Sequence, residues 1–374
     1  MNGRGARRGA PPLYSAGMDN DAAADVESNR GIGYALLAAL LFGASTPFAK
    51  ILLRHTAPVT LAGLLYAGSG VGLTAWIVVR AAIAPRDRRA ESWRASELLW
   101  LAGAIVAGGI LAPVLLMSGL RELAAASASL LLNLEAVFTA LAAWFVFREH
   151  FDRRILLGML AIVGGGVLLA WPARLSLGGG AAWIAGACAC WAIDNNLTRK
   201  VSTGDPVGIA ALKGLIAGAV NLAIAWHLGL GWPGGTRIAA AGLLGFTGYG
   251  VSLTLFVLAL RHLGSARTSA YFSTAPFIGA AIALLVARRW PQPDLLLAAS
   301  LMGVGVWVHL TEIHVHTHLH APLRHAHSHR HDAHHQHEHD FEWDRREPHD
   351  HVHVHEPLTH THAHFPDIHH RHEH

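Results

Sequence analysis

Ten apolar segments, most of them about as long as a bilayer is thick, follow one another between residues 32 and 311, and few architectures accept that pattern. A helix that crosses roughly 30 Å of hydrocarbon needs about 20 residues. Lipid offers no partner for backbone N–H and C=O groups, so each segment must be a helix that satisfies its own backbone. The expected spans are residues 32–53, 59–79, 97–117, 123–147, 155–171, 181–198, 207–228, 238–260, 268–287 and 294–311. With 52% hydrophobic and only 14% charged residues, the chain lies outside the balance of a soluble domain, so an all-α integral membrane protein is the expected fold class.

Arginine and lysine set the orientation. With the amino terminus inside, the outer loops hold only Arg54, Arg121, Arg174, Arg237, Arg288 and Arg289, while the other loop cations fall on the inner side. The positive-inside rule then makes the lipid bilayer of the cytoplasmic membrane the setting, and an even number of spans returns the carboxyl terminus to the cytoplasm. Residues 1–30 lack the apolar core and small-residue cleavage site of a secretory signal and are expected to be a disordered cytoplasmic extension. Cys188 and Cys190 sit two apart in one apolar segment, about 200° apart around a helix, so no disulfide framework is expected.

The chain repeats itself weakly. A shift of about 140 residues places Leu120, Arg121 and Leu123 on Leu260, Arg261 and Leu263, and Ser129 on Ser269. A shift near 149 places residues 38–50 on 187–199, Phe42 falling on Trp191. Two five-helix halves follow, residues 31–172 and 177–312, with a tail from 313 to 374. Because five is odd, the halves insert with opposite orientation, the inverted repeat of many secondary transporters.

Several stretches carry a family resemblance: Ala38 through Phe48 (Ala-Ala-Leu-Leu-Phe-Gly-Ala-Ser-Thr-Pro-Phe), Gly119-Leu120-Arg121 to Ser129, and Phe145-Val146-Phe147-Arg148-Glu149 followed by Gly158 and Gly164-Gly165-Gly166. In these the chain resembles the drug/metabolite transporter superfamily, in particular its EamA-type ten-helix permeases, over roughly residues 31–311. The resemblance implies a permease. Family members commonly close the fourth helix with Gly-Glu, where this chain has Arg148-Glu149, and the second half has Arg288-Arg289 without a Glu. Proline is usual in both halves where this chain has Glu135-Ala136 in the first and Ala275-Pro276 in the second, which singles out Glu135.

Ionisable groups deep in a span cost about 2.5 to 3.5 kcal/mol each, so they need a partner or a purpose. Glu135, Asp194 and Lys213 stand out. At 1.5 Å per residue, Asp194 lies about 6 Å and Lys213 about 9 Å from the inner ends of consecutive spans, so they can meet as an ion pair or line a substrate cavity with Asn195 and Asn196. Glu135 lies about 18 Å into its span, with no cation plainly at that depth. A carboxylate placed there can take up and release a proton during alternating access, or serve as a protonated hydrogen-bonding group. Cys190, Asp194 and Thr198 share a helical face, where the thiol is a small packing residue or a cation guide.

The tail has a different chemistry. Four His-x-His runs recur: His314, His316, His318 and His320; His325, His327, His329 and His331; His349, His351, His353 and His355; His360, His362 and His364. Few apolar residues accompany them, so a disordered segment is expected. Neutral imidazole is a ligand for divalent Zn, Ni, Co and Cu, and such ions are the expected bound metals, with none required as a cofactor. A low-complexity tail and a pH-responsive electrostatic one are the alternatives, since imidazole titrates near about 6.5.

Two main functions stand side by side. One is a permease, proton-coupled through Glu135, for a small metabolite or drug-like solute. The other is an exporter of a divalent transition metal fed by the tail as a cytoplasmic collector or sensor, with a membrane-anchored metal buffer as a third. No Gly-Lys-Ser/Thr phosphate loop points to an enzyme or an ATP-driven pump. No nucleic-acid partner is expected, and a homodimer is left open.

Overall fold

The computed structural model describes residues 16–83, 95–147, 153–174, 179–198, 205–310, 314–320, 323–329, 349–355 and 358–364. It divides into two compact units, Met1–Leu310 and Thr311–His374. Among its described residues the regular elements of the first unit are helices joined by short turns: α1 (Ala16–Leu52), α2 (Pro58–Ile83), α3 (Ala95–Ala104), α4 (Ala112–Glu122), α5 (Ala125–Leu131), α6 (Leu134–Phe147), α7 (Arg153–Arg174), α8 (Gly180–Thr198), α9 (Pro206–His227), α10 (Gly235–Gly245), α11 (Ser252–Phe272), α12 (Ala275–Ala287) and α13 (Pro293–Leu310). Six helical stretches among the described residues are long and apolar enough to cross a membrane, at Asn29–Leu52, Pro58–Ile83, Leu98–Glu122, Ala125–Ala142, Val207–His227 and Gly235–Ala259. Exposed Trp76, Leu99 and Trp226 are apolar surface that such helices turn to lipid, and Leu285 and Trp307 are exposed in the same way on the shorter apolar helices α12 and α13.

Four places depart from regular helices. Ile105–Leu111 between α3 and α4, and Phe246–Val251 between α10 and α11, are wound as π-helix. The sequence shift of about 140 relates them, and both are glycine-rich, with Gly108 and Gly109 in one and Gly248 and Gly250 in the other. The expected fourth span is broken at Leu132 and Asn133, where α5 gives way to α6. A matching break at Ser273 and Thr274 separates α11 from α12.

Helical structure also covers two places expected to be irregular. α1 begins at Ala16, so residues 16–30 of the expected disordered extension are helical. Ala22, Ala23 and Ala24 favour helix there. The inner loop expected after residue 260 is likewise helical, yet the chain still turns back there. The Phe256 and Phe272 ring centroids are 4.8 Å apart, whereas sixteen residues of straight helix span about 24 Å. The midpoint of that reversal is Gly264.

Packing pairs helices of one half with helices of the other. α1 lies against α11 and α12, α8 against α4 and α6, α2 against α9, and α7 against α13. Exchanging the halves turns the α1 pairings into the α8 pairings and leaves the α2–α9 and α7–α13 pairings unchanged. Small residues make the close approaches, as lipid-embedded helices require. A Cβ on Gly214 would come 2.6 Å from the Gly70 nitrogen, and one on Gly218 2.5 Å from the Ala67 nitrogen. The Gly68 and Gly72 faces of α2 instead receive Gly242 and Phe246, so α2 is packed on both sides.

The second unit consists of two antiparallel ladders, β1 (His314–His320) with β4 (Leu358–His364) and β2 (Leu323–His329) with β3 (His349–His355). These strands occupy four stretches of the tail expected to be disordered, and the rest of that tail lies outside the described residues. A ladder is held by backbone hydrogen bonds and needs no apolar core to form its register.

Candidate functional site

The polar groups of the spans gather around the first π-helical turn. Lys213 of α9 donates to Asp194 of α8; Asp194 is buried and Lys213 partly buried, with side-chain exposures of 6% and 13%. Thr198, one turn further along α8, donates to the other carboxylate oxygen of Asp194 at 3.0 Å. Asp194 reaches this position because Gly108 has no side chain: a Cβ there would collide with its carboxylate. Such a pair offsets much of its own desolvation, and removing either partner leaves an uncompensated buried charge.

The carbonyls of the turn are bonded from outside. The Tyr66 hydroxyl of α2 donates to Gly108 O at 2.7 Å, and Trp191 Nε1 of α8 donates to the same oxygen at 3.2 Å. Asn221 of α9, fully buried, directs its amide to Gly109 O and Ile110 O, each at 3.4 Å. A π-helical turn breaks the regular i→i−4 pattern, and these donors supply the carbonyls with partners in a region where water is scarce. The amide oxygen Oδ1 of Asn221 is buried and has no hydrogen-bond partner among the described residues.

Glu135 stands in the first turn of α6, just after the break, half-buried. Asn195 Nδ2 of α8 donates to its Oε1 at 2.8 Å. Asp194 and Lys213 lie near enough to act electrostatically on it. The break before Glu135 also leaves the Leu131 and Leu132 carbonyls to the Cys188 thiol, at 3.8 Å each. An aromatic cluster adjoins these groups: Phe42 meets Trp191 edge-on at 6.3 Å and Tyr249 at 5.9 Å, and Tyr66 meets Tyr249 at 5.6 Å.

Of the residues singled out from sequence, Glu135, Asp194, Asn195 and Lys213 are brought together. Asn196 is not, since its amide turns back to Ala192 O at 2.8 Å within its own helix. Cys190 is half-buried and free, as is buried Cys188. Tyr66, Trp191 and Asn221 were missed. Asn221 carried a signal, an amide deep in an apolar span; Tyr66 and Trp191 read as ordinary membrane aromatics. Among the described residues no group of three or more His, Cys, Asp or Glu is placed to hold a metal ion. Arg148, Glu149 and His331 lie outside the described residues, and the remaining predicted tail histidines are described by their strands.

That register sets His314, His316 and His318 opposite His364, His362 and His360. It sets His325, His327 and His329 opposite His353, His351 and His349, while His320 faces Leu358 and His355 faces Leu323.

The sequence pattern of the EamA-like transporter family matches this chain twice, over residues 29–171 and 178–311. The chain belongs to the EamA-like transporter family. It is thus a multi-pass membrane transporter and not an enzyme. An uncharacterized transporter of Methanothermobacter thermautotrophicus is 28% identical over 270 residues, covering 68% of this chain and 78% of the relative. A protein of Pseudomonas fluorescens, described as a probable 4-amino-4-deoxy-L-arabinose-phosphoundecaprenol flippase subunit ArnE, is 38% identical over 89 residues, 21% of this chain and 75% of its own length. A crystal structure described only as that of a protein shares the fold with a TM-score of 0.55 at 18% identity, covering 74% of this chain and 95% of that one.

Proposed function

We propose that this EamA-like transporter is a proton-coupled secondary permease for a small metabolite or drug-like solute, acting in the cytoplasmic membrane. Ten spans form two inverted five-helix repeats, and both termini are cytoplasmic. The exchange of helix pairings between halves supports the repeat, and the excess of arginine and lysine on one side supports the orientation. The solute site lies where the halves meet, among Glu135, Asn195 and the aromatic cluster of Phe42, Trp191 and Tyr249.

One observation carries the coupling: Glu135 is hydrogen-bonded to the neutral amide of Asn195, while neighbouring Asp194 has Lys213 as its ion-pair partner. A paired carboxylate is held in one charge state. One whose described hydrogen-bond partner is an amide can exchange its proton for solute as the site changes side. Asp194 and Lys213 are the structural support beside it. Metal export draws no support from the spans, where the described residues form no ligand cluster.

A tolerance assay tests this reading. Cells producing the protein are grown against a panel of toxic amino-acid analogues, organic drugs and divalent metals, beside Glu135→Gln and a chain truncated after Leu310. The expected result is protection against at least one organic compound that the truncation keeps and Glu135→Gln reduces about 10- to 100-fold. That range corresponds to a charge-assisted hydrogen bond of about 1.5–3 kcal/mol. Equal protection by Glu135→Gln overturns the coupling role, and protection confined to metals and lost on truncation overturns the solute class.

A further inference from the structure

The helices around the solute site fall into two packed groups. α1 lies against α11 and α12, and α8 against α4 and α6, whereas α1 meets α4 across the groups only lightly. Contacts inside the groups are present in both copies of the repeat. A Cβ on Gly31 of α1 would come 2.7 Å from Leu263 Cγ, and one on Gly180 of α8 would come 2.8 Å from Leu123 Cγ. Gly31 and Gly180 correspond at the shift near 149, and Leu123 and Leu263 at the shift of about 140.

The contact across the groups follows a different rule. Lys50, in the last turn of α1, donates to Leu120 O at 2.6 Å and to Arg121 O at 2.9 Å. Those oxygens lie in the last turn of α4, where a helix leaves its carbonyls without partners of its own. A cation placed there also meets the negative end of the helix dipole. Exchanging the halves turns α1 with α4 into α8 with α11, and these two make no comparable contact among the described residues. Among the described residues, the first half therefore carries a tie between its helices that the second half lacks.

We propose that Lys50 is a releasable latch that holds this end of the helix bundle closed, and that transport requires its hydrogen bonds to α4 to break and re-form. In the orientation argued above this is the outer end, where α1 finishes. The partners make release possible. They are neutral carbonyls and Lys50 is only partly buried, so water can replace them as the groups part. Breaking the ion pair of Lys213 with Asp194 would instead leave a buried charge uncompensated. The groups hold the solute site between them, since Phe42 of α1 meets Trp191 of α8. Parting them at one end opens the site to that side, as in the rocking of inverted repeats. The latch rests on that placement of the solute site and not on proton coupling through Glu135.

The test measures the distance between spin labels at Arg54→Cys and Glu122→Cys, exposed positions beside the latch. The full chain, carrying Cys188→Ala and Cys190→Ala, is studied in lipid nanodiscs with Lys50 intact and with Lys50→Arg, Lys50→Gln or Lys50→Met. The expected result is a short and a long distance population. Lys50→Met should raise the ratio of long to short about 10-fold, as expected for lost hydrogen bonds to a charged group, Lys50→Gln should raise it less, and Lys50→Arg should stay near the wild type. A helix cap without a gating role would lower thermal stability and leave the distances unchanged, which overturns the proposal. So does a single population that no variant shifts. If Lys50→Met does not fold, Lys50→Gln against Lys50→Arg gives the same reading. The labels report on the latch whatever the solute or coupling ion, so its failure leaves the Glu135 prediction standing, and failure of that prediction leaves the latch.

Discussion

The two π-helical turns occupy equivalent places in the two halves and are served in different ways. The carbonyls of Ile105–Leu111 accept hydrogen bonds from three other helices, through Tyr66, Trp191 and Asn221. At Phe246–Val251 the described side-chain bond to a turn carbonyl comes from Thr254 of the same helix, which donates to Gly250 O at 3.0 Å. Trp191 and its repeat counterpart Phe42 express the difference in one substitution: the indole donates to the first turn, while the phenyl ring packs edge-on against Tyr249 of the second. The acidic group follows the same division. Glu135 of the first half corresponds to Ala275 of the second, which is 1% exposed and lies against Gly43 of α1. A repeat therefore reproduces the backbone irregularity, while the described polar groups of both halves gather at the first copy of the turn.

Three substitutions break or sharpen that contrast. The largest effect is expected from Lys213→Met, which leaves Asp194 buried beside Gly108 without its cation and should cost about 3–5 kcal/mol. Thermal unfolding in detergent reads it, and the double variant with Asp194→Asn should recover most of the loss; a single variant as stable as wild type would show that the pair does not hold the first turn. Ala275→Glu, which copies the acid of the first half into the second, should cost about 2.5–3.5 kcal/mol because no matching amide or cation is described there. Unchanged stability and activity would mean that the halves are interchangeable. The smallest effect is Trp191→Phe, which gives α8 the residue of its counterpart and removes one hydrogen bond to Gly108 O, for a loss of about 0.5–1.5 kcal/mol. A loss well beyond that range would assign the indole a role in solute binding as well.

Much of this was legible beforehand, residue by residue. The meeting of Asp194 with Lys213 follows from their similar depth in consecutive spans, a matter of rise per residue. Glu135 stood out because it replaces an expected proline region and had no cation at its depth. Its partner Asn195 was in view only as a cavity residue, because the approach of α6 to α8 is a contact between halves that no local spacing encodes. Asn196, next in the chain, was an equal candidate, and a rotation of about 100° around the helix separates the two. The π-helical turns left no sequence signal beyond clustered glycine, which equally marks tight packing.

By itself the amino-acid sequence determined the membrane class, the family pattern matched twice along the chain, and the alternation of histidines in the tail. Hydrophobic length and periodicity are local properties that bilayer and backbone impose on any chain carrying them. Tertiary structure alone decided which carbonyls Tyr66, Trp191 and Asn221 satisfy, which carboxylate receives the lysine, and which histidine faces which. Those outcomes depend on how distant helices and strands approach one another, and that geometry is set by the sum of many weak contacts rather than by any one segment.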